Sequence, residues 1–164
     1  MQALETEVLI ALRRIVQAID QHSSRLAKGY GLTTPQLLVL QTVAQMPEQP
    51  IRAISEQVNL SQATVTSIVD RLERRSLLQR NRSGKDRRKV FLILTKMGNE
   101  VLNHAPKPLQ ENFLNRFESL KEWEKHQVVF ILKHVAEMMG AKNLDAAPLL
   151  YAGEVVTASK SIDK

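Results

Sequence analysis

The chain has 164 residues, with 23 Lys plus Arg against 17 Asp plus Glu and a formal net charge of +6. That is about the length of one ordinary domain, which excludes a multidomain enzyme, while 43% hydrophobic and 24% charged residues suit a globular chain and not a disordered one. The absence of cysteine excludes a disulfide scaffold, a thiolate zinc site, a catalytic thiol and a thiol redox sensor.

Glu5 and Glu7 precede the first apolar stretch, unlike a signal peptide, and the longest aliphatic or aromatic runs, 90–94 and 128–132, are too short to span a membrane. A cytoplasmic protein with no membrane partner is expected. The charge is unevenly placed. Residues 71–89 hold nine basic residues (Arg71, Arg74, Arg75, Arg80, Arg82, Lys85, Arg87, Arg88 and Lys89) against Glu73 and Asp86. The rest of the chain carries a net −1. Most charge runs are solvated faces, but such faces usually mix signs, and a cluster of one sign creates a field that attracts polyanions.

Over 4–28 the apolar residues Leu4, Val8, Ala11, Leu12, Ile15, Ile19 and Leu26 recur at helical steps, predicting one long amphipathic helix that ends at Gly29-Tyr30-Gly31. A second helix opens at Thr33 or Thr34. Thr33 with Gln36 fits a capping box, Pro35 suits a first turn, and Leu37, Leu40 and Val43 mark its buried side. After a loop at 46–50, residues 51–58 form a short third helix with Ile54 and Val58 inward, ended by Asn59.

Ser61 is a good N-cap for a fourth helix, on which Val65, Ile68, Val69 and Leu72 make a core stripe. Its other side carries Gln62, Thr66, Ser67, Asp70, Arg71 and Arg74. Two short helices joined by about three residues, the second with a polar first turn, make a helix-turn-helix pattern. Segments 77–80 and 90–95 favour β structure and bracket a basic loop with Ser83-Gly84 near its tip, predicting a hairpin whose second strand is buried on both sides. A helix-turn-helix followed by a basic hairpin is a winged helix.

Thr95 can cap a further helix through Leu102, which Pro106 and Pro108 interrupt before it resumes through Phe117. Ser119 with Glu122 fits a capping box for a last helix to Gly140, striped by Trp123, Val128, Ile131, Leu132, Val135 and Met138 or Met139. Residues 141–164 read as a poorly ordered tail with a candidate docking segment at 148–151. The fold class is therefore mainly α with a small β wing.

The run from Asp86-Arg87-Arg88 through Leu94-Thr95-Lys96-Met97-Gly98 resembles the wing signature of MarR-type transcriptional regulators: Asp-x-Arg, a strand, then Leu-Thr-x-x-Gly. The resemblance covers 4 to about 139. It takes in Leu32-Thr33 with Gln36, and Ser61-Gln62-Ala63-Thr64-Val65-Thr66 with Val69-Asp70-Arg71-Leu72-Glu73. Ser76 and Asn59 depart from it, each standing where the family usually has glycine. The segments 21–26, 35–40 and 145–148 are also similar to the branch that regulates compatible-solute (ectoine) synthesis genes.

The resemblance implies a winged-helix domain over 1–140, with a DNA-binding core at about 33–96 and dimerisation helices at about 4–28 and 97–140 in a homodimer. The apolar stripes at both ends of the chain independently call for a partner. The expected function is sequence-specific binding of double-stranded DNA at a pseudo-palindromic operator, with repression relieved by a small ligand or solute signal. In the recognition helix, which Ser61 opens as part of the DNA-binding set, Gln62, Ala63, Thr64, Thr66 and Ser67 would lie near base edges, since Gln can read adenine and methyls can meet thymine. Arg71 and Arg74 would meet phosphates. In the wing the resemblance makes Arg88 a minor-groove arginine and Asp86 its brace, with Arg82, Lys85 and Arg87 beside them. Effector candidates, by resemblance, are His22, Arg25 and Met46.

No catalytic motif is present, so no enzyme is expected, and no cofactor. The four histidines, at 22, 104, 126 and 134, show no metal-like clustering; Glu122 with His126 could bind a metal weakly, and no metal site is expected. The rival readings are a sequence-neutral architectural nucleic-acid binder and a winged-helix protein-interaction module.

Overall fold

The computed structural model describes residues 2–82, 90–142 and 149–150. Those residues divide into two compact units, Met1–Pro106 with Leu150–Lys164, and Lys107–Leu149.

In the first unit, α1 (Gln2–Tyr30) runs two residues past its expected bounds at each end and stops where Gly31 turns left-handed at φ 63°. α2 (Thr34–Gln45) opens as expected, with Gln36 Oε1 accepting from the Thr33 N–H at 3.0 Å and Pro35 in the first turn. α3 (Ile51–Val58) ends at Asn59, whose φ of 54° is the left-handed stop anticipated there. α4 (Gln62–Arg74) follows, then β1 (Leu78–Arg82) and β2 (Val90–Leu94), paired antiparallel from Leu78↔Leu94 to Arg82↔Val90. Pro50 bridges to Phe91 beside them. α5 (Lys96–His104) is capped by Thr95, whose Oγ1 accepts from the Gly98 N–H at 3.0 Å.

The core collects one face of each element. Ile54 and Val58 of α3 meet Val65, Val69 and Leu72 of α4 and Leu92 of β2, around an α2 that buries Leu37, Val39, Leu40 and Val43. α2 is thus buried on more sides than its expected stripe, because it is the helix the others pack around. β2 is less buried than expected: Leu92 is enclosed, but Val90, Phe91, Ile93 and Leu94 are half-buried. A two-stranded sheet has just one face on the core. Gly98 has a specific reason to be glycine, since a Cβ there would fall 1.8 Å from the Leu77 carbonyl oxygen.

α1 is different in kind. Among its described side chains only His22 and Leu26 are buried, while Leu4, Val8, Leu9, Ile10, Ile15 and Val16 stay exposed, Leu4 by 71%. Those six apolar residues are therefore not covered by the core that buries Leu26.

The second unit holds α6 (Leu109–Glu118), beginning after Pro106 and Pro108 as expected, and α7 (Glu122–Met138). α7 starts later than its expected capping box. Ser119 stays helical at the end of α6, its hydroxyl donating to the Arg116 carbonyl at 2.6 Å, and the Lys121 N–H donates to Glu124 Oε2 at 2.8 Å instead. Trp123, Phe130, Ile131, Leu132, Met138 and Met139 of α7 are all exposed. Among the described residues no helix is long and apolar enough to cross a membrane.

Candidate nucleic-acid interface

α4 is built to show one face. Val65, Ile68, Val69 and Leu72 anchor it in the core, and the opposite side presents Gln62, Ala63, Ser67, Asp70, Arg71 and Arg74 to solvent, with Thr64 and Thr66 half-buried at its edge. Ser61 caps the helix, its Oγ accepting from the Thr64 N–H at 3.1 Å and lying 2.7 Å from Thr64 Oγ1. The Thr66 hydroxyl donates back to the Gln62 carbonyl at 2.8 Å. Gln62 and Ser67 are the first-turn and second-turn groups able to present donors and acceptors to a ligand.

The arginines divide into two kinds. Arg71 and Arg74 are exposed on the outward face, Arg74 holding the Asp70 carbonyl through Nε at 3.2 Å. Arg80, on β1, instead reaches back to α4, where its guanidinium pairs with the carboxylates of Asp70 and Glu73. Its own N–H also donates to Glu73 Oε1 at 3.1 Å. Burial pulls the Arg80 pKa down, but the hydrogen bonds and charges of the two acids outweigh it and raise it. This clasp ties β1 to α4 and offsets one of the two negative charges that Asp70 and Glu73 place on that helix.

Arg75, the C-cap of α4, turns away from the outward face and donates to the carbonyls of Gly31 and, at 2.9 Å, Tyr30. Charge counting along the sequence gives Arg75 and Arg80 the same weight as Arg71. Their partners lie 45 and 10 residues away, and no local signal announces them.

The wing candidates Lys85, Asp86, Arg87 and Arg88, the side chain of Arg82 and the expected tip at Ser83-Gly84 lie outside the described residues, as does the expected tail segment beyond Leu150.

The three effector candidates differ in their surroundings. His22 is buried, and its Nε2 and Thr34 Oγ1 are the buried side-chain polar atoms without a partner among the described residues. Burial first, and then the charge of Arg25, lowers the His22 pKa. Arg25 itself lines an open depression of about 660 Å³ along α1 with Asp20, Gln21, Ser24 and Lys28, and neither His22 nor Met46 lines it. Met46 is half-buried as the C-cap of α2. Among the described residues no group of three or more His, Asp or Glu is placed to hold a metal ion.

Comparison with known proteins gives results of one kind. The model of the MarR family matches residues 32–90, the stretch from the start of α2 to the start of β2. The transcriptional regulator HosA of Escherichia coli is 31% identical, over 65% of this chain and 82% of that protein. The transcriptional repressor MdtR of Bacillus subtilis is 30% identical, over 58% of this chain and 61% of that protein. Among solved structures, the PcaV transcriptional regulator from Streptomyces coelicolor, in complex with its natural ligand, superposes with a TM-score of 0.54 at 26% identity, over 79% of this chain and 91% of that one.

Proposed function

The chain belongs to the MarR family of winged-helix transcriptional regulators, and from that premise we propose that it is a homodimer that binds a pseudo-palindromic operator in double-stranded DNA, represses transcription, and is released by a small ligand. The observation that carries the reading is the outward face of α4: short hydrogen-bonding groups at its start, arginines at its end, and the whole helix fixed by four buried residues behind. A helix presented this way fits the major groove, with Gln62, Ala63, Thr64, Thr66 and Ser67 toward base edges, Ser61 holding the helix start, and Arg71 and Arg74 toward phosphates. Arg82, Lys85, Arg87 and Arg88 of the wing would add backbone and minor-groove contacts, with Asp86 bracing them.

Dimerisation is supported by the exposed apolar residues of α1 and α7, which leave large side chains such as Val16 and Phe130 in water in the single chain. Surface of that kind marks an association site. In this reading 33–96 is the DNA-binding core, with 4–28 and 97–140 as dimerisation helices. The repressive sign follows the name MdtR carries, and the ligand follows PcaV's complex with its natural ligand. His22, Arg25 and Met46 are the first positions to test for that ligand, and an osmotic solute is one class to try. The work is done in the cytoplasm, without catalysis.

Selection of bound sequences from a random DNA pool tests the proposal. A regulator of this kind returns an inverted repeat with half-sites about 10 base pairs apart and prefers it over bulk DNA by about 10³ or more. Recovery of no common sequence, with tight binding to every duplex, would replace this reading by that of a sequence-neutral architectural protein.

A further inference from the structure

Three helices of the first unit end at one joint. Arg75, the C-cap of α4, donates to the carbonyls of Gly31 and Tyr30 at the end of α1. The Tyr30 hydroxyl in turn donates to the carbonyl of His104, the last residue of α5. These carbonyls belong to the group of acceptors that a helix end leaves without partners, and a cation there also meets the negative end of the helix dipole. Gly31 makes room for it: φ is 63°, and a Cβ would lie 3.0 Å from Arg75 Nη2. Among its described residues α1 buries no side chain other than His22 and Leu26, so its C-terminal end is where it is fastened to the winged helix.

We propose that Arg75 and Tyr30 are positioning residues that fix α1 against the recognition helix and so set the half-site spacing that the dimer accepts. The proposal rests on the homodimeric DNA-binding reading above. If the dimer is held through α1, the distance and angle between its two recognition helices depend on how rigidly each is attached to its own α1. Arg75 supplies a planar fork onto two carbonyls, which neither a lysine nor a glutamine reproduces. Its cation is thereby committed to orientation, and is not one of the charges offered to phosphate.

The experiment measures dissociation constants of the full chain for its selected operator and for versions with one base pair inserted or removed between the half-sites. One base pair rotates the half-sites by about 35° relative to each other. The unsubstituted protein should discriminate against the altered spacings by about tenfold or more, a penalty comparable to a mismatched base pair. Arg75→Gln and Tyr30→Phe should each reduce that ratio to about threefold, and the double variant no further, because the two residues belong to one device. The slope of log affinity against log salt should stay the same, since no phosphate contact is lost.

Unchanged spacing discrimination in both variants overturns the proposal. So does a slope reduced by about 0.9 per protomer in Arg75→Gln alone, which makes Arg75 a phosphate contact. Should Arg75→Gln fail to fold, Tyr30→Phe, which removes a single oxygen, carries the same expectation. Indifference of the unsubstituted protein to spacing would instead refute the dimeric reading, and this proposal with it.

Discussion

Ser76 offers a measurable gain in stability. It sits at the exit of α4 with φ 57°, in the left-handed region, where an L side chain costs about 1–2 kcal/mol. Both hydrogen bonds that hold it use its backbone: its N–H donates to the Glu73 carbonyl at 2.8 Å, and its carbonyl accepts from Thr95 Oγ1 at 2.6 Å. The side chain is exposed, so Ser76→Gly loses no packing. Glycine's greater freedom in the unfolded chain returns about 0.4–1 kcal/mol of the relief, leaving a net stabilisation of about 0.5–1 kcal/mol. For a chain of this length that is roughly 1–4 °C in Tm, readable by urea and thermal unfolding followed by circular dichroism. Ser76→Ala is the control, because alanine removes the hydroxyl but keeps the backbone cost. If glycine is no more stabilising than alanine, the left-handed conformation is not where the cost lies.

Gly98→Ala should do the opposite, since its methyl would meet the Leu77 carbonyl oxygen at 1.8 Å; a loss of about 3 kcal/mol or more is expected in the same unfolding assay, and a loss under about 1 kcal/mol would contradict the close approach. Arg80→Ala uncovers Asp70 and Glu73 on the face proposed to meet phosphates, and should weaken operator binding by about tenfold, which is about 1.4 kcal/mol. In a chain already carrying Asp70→Asn and Glu73→Gln the same change should cost less than about twofold; an equal loss in both backgrounds would make Arg80 a direct DNA contact. His22 is buried with its pKa lowered, so the unfolded chain takes up a proton that the folded one resists. Its contribution to stability is therefore complete above the ordinary histidine value of about 6.5 and falls as the pH drops from there toward the folded pKa. His22→Gln should flatten the dependence of the urea midpoint on pH below about 6.5, and a dependence as steep as before would assign it to other groups.

The sequence made the local structure readable wherever one residue decides it. Pro35, Asn59, Ser61, Thr95 and Gly31 each act within a turn of their own position, and each does in the structure what its chemistry predicts. The start of α7 was misread because two overlapping signals compete there. Ser119 with Glu122 has the better hydroxyl, but Ser119 is the C-cap of α6, and α7 is capped instead by the Glu124 carboxylate, which accepts from the Lys121 N–H. The burial of β2 was overestimated because an apolar run does not say how many layers cover it. The outward residues of α4 were legible from helical periodicity, since the core stripe fixes which side faces out. The Arg80 and Arg75 partnerships were not, because they depend on where a strand and a distant helix end come to lie.

That last difference changes the meaning of the basic cluster. Periodicity could assign Arg71 and Arg74 to the outward face of α4, but it had nothing to say about arginines that follow the helix. Arg75 closes the end of α1, and Arg80 offsets one of the two negative charges of Asp70 and Glu73 on the helix beside it. Part of the repulsion that those acids would exert on phosphate is offset from within the protein, and the α4 arginines left facing outward are Arg71 and Arg74. In the proposed reading the two arginines held internally would act on DNA binding without touching DNA, Arg80 by reducing the negative charge of α4 and Arg75 by fixing its angle to α1. Local field strength and recognition geometry are set by different members of one cluster that composition alone presents as uniform.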